Sequence, residues 1–209
     1  PGRVGRIRRQ VDPALMLGEG HHRVPKGMLA AVVTHLVCRR PAPAQPAPAG
    51  VRLRRETRMP AATYRDLFRL IGRDWLWTSR LMLGDDDLLD VILDPKVELY
   101  VVDSDNGPLG MVELDFREEN NPQIAFFGLT PAAVGRGIGS WLMPEVQRRI
   151  FDRGAKTVRL NTCSLDSPKA IPFYMKHGFE AERREVNIFP DPRAIGVLDS
   201  EAAPMVPAL

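Results

Sequence analysis

The apolar and polar positions change period several times along the chain, and each change marks an element. MLAAVVTHLVCR, from Met28 to Arg39, is β-branched and apolar and reads as a strand. VRLRRETR, 51–58, alternates apolar and basic residues in the manner of an edge strand. Between them lies PAPAQPAPAG, 41–50, where proline removes backbone donors and favours an extended polyproline path. The stretch reads as a loop joining two paired strands rather than as a domain boundary. Tyr64, Leu67, Phe68, Leu70 and Ile71 then recur at helical spacing over 60–74. A short helix is expected over Asp85–Asp94, its acidic start GDDD matching the positive end of a helix dipole.

Three strands follow. VELYVV (97–102) ends in the turn DSDNG, and PLGMVELDF (108–116) sets Val112, Leu114 and Phe116 against Glu113 and Asp115. QIAFFGL (123–129) is nearly all apolar and is expected at the centre of a sheet. Asp105–Asn106–Gly107 and Glu119–Asn120–Asn121–Pro122 are hairpin connectors. Beyond them Ile138, Leu142, Val146 and Ile150 define one helix face, with Gly154 as its stop. TVRLN (157–161) reads as a strand. Ser167–Pro168 opens a helix carrying Ile171, Tyr174 and Met175 and ending at Gly178. FEAERREVNIF (179–189) is a last strand. The order is mixed α/β: an antiparallel meander, then helix, strand, helix, strand. The domain is expected over 28–199, after a peripheral basic extension at 1–27 and before a tail at 200–209.

The 209 residues suffice for one domain with a real core. A net charge of +3 argues for no nucleic-acid partner by itself, although the Arg-rich stretches 3–9 and 52–58 keep that idea testable. Cys38 and Cys163 cannot build a disulfide framework; read as free thiols, they favour a reducing compartment and a cytoplasmic location. The four histidines have no zinc-site spacing, and the acidic run at 85–87 lacks further metal ligands, so no metal is expected. No apolar run is long enough for a membrane span.

GLTPAAVGRGIGSWL, 128–142, carries the chemistry. An apolar strand runs through a glycine loop into a helix. The first amides of a helix have no internal partner and point outward, and the dipole adds positive charge there. Glycines let a ligand approach the backbone, so successive amides can surround a phosphate. A Walker loop would need Gly-Lys-Ser/Thr, and Gly139–Ser140 has no lysine. A dinucleotide fingerprint would need another glycine spacing and a parallel βαβ unit.

The stretch resembles the signature loop of the GNAT family of N-acetyltransferases, Gln/Arg-x-x-Gly-x-Gly/Ala. Gly137 and Gly139 match its small positions, while Val134 stands where the family has Gln or Arg and Arg136 is the available substitute. AIPFYMKHGF, 170–179, resembles the family's Ala-x-x-Phe-Tyr-x-x-x-Gly-Phe segment at Ala170, Phe173, Tyr174, Gly178 and Phe179. The likeness covers roughly 95–189, with the helices of 60–94 as the family's variable N-terminal pair. It implies a GNAT-like mixed, mostly antiparallel central sheet flanked by helices and splayed at the coenzyme site, after Phe127 and after Leu160.

The resemblance also implies acetyl-CoA as donor and an amine of a small molecule or peptide as acceptor, by direct attack. The pantetheine arm would pair with the strand at Phe127, Gly128 and Leu129. The pyrophosphate would meet the loop Val134, Gly135, Arg136, Gly137, Ile138, Gly139 and Ser140, with Ser167 and Tyr174 adjoining. Tyr174 is the candidate acid, because a phenol and an alkyl thiol titrate within reach of one another. Gln123 falls where many members carry a basic glutamate, which leaves Glu113 and Asp115 as substitutes. Trp75 and Trp77, two apart and facing the same way in an extended chain, form candidate acceptor walls with Arg80 nearby. His177, three residues after Tyr174, has its ordinary place at a helix end. The alternative is a GNAT fold that binds coenzyme A as a sensor without turnover; a homodimer is compatible with either.

Overall fold

The computed structural model describes residues 17–208. Its chain order is β1 (Met28–Cys38), β2 (Arg52–Glu56), α1 (Ala61–Gly72), α2 (Asp85–Ile92), β3 (Val97–Ser104), β4 (Gly107–Asp115), β5 (Gln123–Leu129), α3 (Ile138–Phe151), β6 (Val158–Cys163), α4 (Ala170–Lys176) and β7 (Phe179–Pro190). One seven-stranded sheet runs β2-β3-β4-β5-β6-β1-β7. β5 takes the central place that its apolar sequence predicts.

Helices cover both faces. On one, Tyr64, Leu67, Phe68 and Ile71 of α1 and Leu88 and Ile92 of α2 pack on Leu99, Val101 and Met111. On the other, Ile138, Leu142, Val146 and Ile150 of α3 pack on Tyr100, Val102, Val112 and Leu114. Covering both faces explains why Val97 to Val102 is buried at every position. It also buries Glu113 and Asp115, whose alternation with apolar neighbours on β4 would otherwise suit a solvent face.

The N-terminal strand corrects the sequence reading. β1 does not pair with β2. It lies between β6 and β7, antiparallel to both, and β7 follows it from Met28↔Pro190 to Cys38↔Phe179. β2 pairs with β3 at the opposite end of the sheet. The Pro/Ala loop 41–50 is therefore a crossover of five strand positions. Five spacings are about 24 Å, and ten residues of polyproline reach about 31 Å, so an extended loop spans the gap. It passes over α3, where the Ala42 N–H donates to Gln147 Oε1 at 2.9 Å. The arginines of β2 are matched by acids: Arg54 meets Glu56 and Asp103, Arg52 meets Asp103 and Asp105, and Arg55 meets buried Glu98. That pairing removes much of the free positive charge of 52–58; the other basic stretch, 3–9, lies outside the described residues.

Two further differences shape the site. β5 and β6 are parallel but pair only at Gln123↔Arg159, so they part earlier than Phe127 and Leu160. The β4–β5 register slips between Glu113↔Phe126 and Leu114↔Ile124, which leaves Ala125 as a bulge. A bulge bends its strand, while β1 holds β6 from the other side. The segment after β7, expected as a tail from 200, packs on the body: Leu198, Ala202 and Ala203 are buried against Leu76. Arg193 fastens it, donating to Asp191 and to the Val206 carbonyl at 2.7 Å.

Candidate active site

The splay between β5 and β6 opens into a cavity of about 860 Å³. At one end stands the glycine loop. After β5 the chain makes a short 3₁₀ turn, Pro131–Ala133, and enters α3 through Gly135 at φ 83° and Gly137 at φ 77°. A residue with a Cβ pays roughly 1–2 kcal/mol to hold that conformation, which is why glycine stands at both places. The Ser140 N–H turns back to the Gly137 carbonyl at 3.1 Å. The backbone amides of 135–139 take no partner from the described residues. The exposed donors are thus one fewer than the sequence stretch 135–140 suggests. Ile138 contributes only backbone, since its side chain is buried in the core under α3.

The second motif packs directly on the first. A methyl group added at Gly139 would lie 3.4 Å from the Phe173 ring. Phe173 stacks between Phe127 of β5 (5.8 Å) and His177 (4.4 Å). His177 is buried, its Nδ1–H donating to the Phe173 carbonyl at 2.8 Å, so it props the helix from behind rather than serving the cavity. Helix α4 begins at Ala170, three residues after Ser167, because a tight turn precedes it: Ser167 O accepts the Ala170 amide at 2.8 Å.

Tyr174 lines the cavity beside Phe127. Burial, and secondarily the negative charge of Asp166, push its phenol above the ordinary value and keep the proton on oxygen. The same two causes raise the Cys163 thiol, which also lines the cavity and is free, as is Cys38. A thiol held protonated is a poor nucleophile.

Trp75 and Trp77 both line the cavity, though not as neighbours on an extended strand. Trp75 ends a 3₁₀ turn, Arg73–Trp75, and Leu76 takes a left-handed conformation at φ 55°. Trp77 lies on Phe68 and Phe126, with ring centroids at 5.4 and 5.3 Å. Two glycines make its berth. A Cβ at Gly72 would stand 2.4 Å from Trp77, and one at Gly128 would stand 2.3 Å from Ile71 and 2.8 Å from the indole. Gly128→Ala is expected to cost about 1–3 kcal/mol through overpacking and to shift tryptophan emission, as thermal denaturation and fluorescence would show. An unchanged spectrum and midpoint would contradict this packing.

Three sequence candidates lie elsewhere. Glu113 is fully buried, accepting from the Tyr64 hydroxyl at 2.8 Å and from Arg80 at 2.5 Å. Arg80 lies over the Phe126 ring at 5.1 Å and turns away from the cavity toward Glu113. Asp115 holds Arg117 at 2.7 Å and Gln123 at 3.4 Å. None of the three lines the cavity: Glu113 and Asp115 lie on β4, which β5 separates from the opening, and Arg80 is drawn to Glu113. Arg136 likewise projects outward and is exposed.

Asp166, in the β6–α4 loop, is the carboxylate that the structure does bring in. It accepts from Trp77 Nε1 at 3.1 Å, from the Thr162 hydroxyl at 2.6 Å and from the Cys163 amide at 2.9 Å. CSLDSP looks in sequence like any polar turn, so nothing there points to this role. The far walls were equally hidden: Ala31 and Val33 of β1, Phe189 of β7, and Pro192 and Ile195 beyond it. Among the described residues no cluster of three or more His, Cys, Asp or Glu is arranged to hold a metal ion, and no helix is long and apolar enough to cross a membrane.

Fold and site together define an α/β domain with a row of unpartnered backbone amides at a splayed sheet. Residues 64–179 match the model of the acetyltransferase (GNAT) family, more than half of the chain, and the chain belongs to that family. Solved structures share the fold. A functionally unknown conserved protein from Staphylococcus epidermidis is 18% identical with a TM-score of 0.60, over 79% of this chain and 63% of its own. A GNAT-family acetyltransferase from Novosphingobium aromaticivorans is 20% identical with a TM-score of 0.55, over 79% and 67%. A GCN5-related N-acetyltransferase from Sphaerobacter thermophilus is 22% identical with a TM-score of 0.58, over 77% and 52%. The chain thus spans about half to two thirds of the length of these neighbours. No curated protein matches the sequence.

Proposed function

We propose that the chain is an acetyl-CoA-dependent N-acetyltransferase acting on an amine of a small molecule or peptide. Family membership supports acyl transfer in general. The observation that carries the finer reading is the row of unpartnered amides at 135–139, at the mouth of the gap between β5 and β6. A diphosphate suits those amides, and a peptide-like arm suits the backbone that β5 withholds from β6. The coenzyme would supply an acyl group activated as a thioester. Tyr174, held in its neutral form, would hand its phenolic proton to the departing sulfur. The free thiols of Cys38 and Cys163 fit a reducing, cytoplasmic setting.

Calorimetry with acetyl-CoA, followed by turnover on an amine panel, tests this. Gly137→Val has room within the protein, since a Cβ there meets nothing within 4 Å. Its side chain would instead strain the left-handed turn and intrude on the cradle. Coenzyme affinity is expected to fall about 5–30-fold from the strain alone, taken as 1–2 kcal/mol; unchanged affinity would reject the cradle. A second reading, a coenzyme-binding sensor without turnover, draws on the distance of Glu113 and Asp115 from the cavity. Tight coenzyme binding with no acyl transfer to any amine would favour it.

A further inference from the structure

The cavity is mostly apolar, and its charge is sparse. Its walls include Trp75, Leu76, Met82, Leu165, Phe189 and Ile195, with the uncharged polar residues Thr78, Ser79 and Asn187 among them. Among the described lining residues only Asp166 and Lys169 carry charge. Lys169 is exposed and stands at the start of α4, its amide donating to the Ser167 hydroxyl. Asp166 stands against Trp77. Its Oδ2 is taken by Thr162 and the Cys163 amide, whereas among the described residues Oδ1 receives only the indole N–H at 3.1 Å. A lone pair on Oδ1 is therefore available to a cationic guest.

We infer that the acceptor is an apolar, aromatic-bodied monoamine, its ammonium group met by Asp166 and its body held by the walls around Trp75, Met82 and Phe189. The inference rests on the acyltransferase reading above and narrows it. One carboxylate can match one ammonium; every further charge of a polyamine or aminoglycoside would find no second carboxylate in the lining. In the transfer one N–C bond forms and one C–S bond breaks. The ammonium gives up two protons, one to solvent before attack and one after it, while the sulfur leaves as a thiol with the proton of Tyr174, which is later restored.

The test compares 2-phenylethylamine, spermidine and kanamycin as acceptors with acetyl-CoA, in wild type and Asp166→Asn. The aromatic amine should be used best. The variant should raise its KM about 10–100-fold, the span of one charge-assisted hydrogen bond, and leave the KM for acetyl-CoA alone. Inhibition by 2-phenylethanol, the neutral isostere, should be equal in both proteins, because it has no charge for Asp166 to meet. Preference for spermidine or kanamycin would overturn the inference. So would an unchanged KM for the amine, or a parallel loss of phenylethanol binding, which would mark Asp166 as only a support for Trp77. Preferential use of octanoyl-CoA with the aromatic amine ignored would give the apolar walls to the acyl chain and equally overturn it. These failures leave coenzyme binding intact, whereas a flat acetyl-CoA titration removes the acyltransferase reading itself.

Discussion

Tyr174→Phe is expected to lower turnover by about 10²–10⁴-fold, the usual contribution of a positioned acid, with coenzyme affinity nearly unchanged. The ring is braced by Phe127, Phe173 and Phe179, and phenylalanine keeps every one of those contacts. Only the proton is lost. The phenol is raised by burial first and by Asp166 second. The acid therefore stays competent up to and beyond pH 10, where an ordinary tyrosine titrates, and loss of rate on the alkaline side should set in above that value. The sign follows from the neutral phenol being the active form: raising its pKa extends the active range upward. A variant with wild-type turnover would remove Tyr174 from the chemistry, and an alkaline limb well below pH 10 would assign the proton to another group.

The largest effect on stability is expected at Arg80→Met. Glu113 is fully buried on β4, and Arg80 is its countercharge at 2.5 Å. Removing the guanidinium leaves a carboxylate with the Tyr64 hydroxyl alone among the partners seen here. Breaking a buried pair in this way costs about 3–5 kcal/mol, a large part of the 5–15 kcal/mol typical of a domain. Urea denaturation would read it as a lower midpoint. The double variant Arg80→Met, Glu113→Gln should recover most of the loss, since an amide needs no countercharge. If the single variant is as stable as wild type, the pair is not the staple described. If the double variant is no better, the loss comes from Arg80 packing on Phe126. The pair also ties the loop bearing Trp77 to the sheet, so coenzyme-dependent activity should fall with it.

Much of the fold was legible because local rules govern it. The helical spacing of Ile138, Leu142, Val146 and Ile150 corresponds to four side chains at 0–1% exposure. QIAFFGL is β5 from its first residue to its last. The glycine loop and Tyr174 could be read from motifs of a few residues, because a left-handed turn into a helix admits few sequences. The site's remaining parts depend on which strand lies beside which. Glu113 and Asp115 alternate as a solvent-facing pair would, yet α1 and its loop cover that face. Asp166 reaches the cavity because β6 ends beside the Trp77 loop, 89 residues away in sequence.

By itself, then, the sequence determined the elements, the glycine turn with its free amides and the place of Tyr174 on its helix, since each follows from side chains within a few residues of one another. Only the tertiary structure decided that β1 enters between β6 and β7, that Glu113 is neutralised by Arg80, and that Asp166 is the carboxylate of the cavity. Those outcomes turn on pairing over long separations, where many strand arrangements satisfy the same local pattern and only the packing of the whole core selects one.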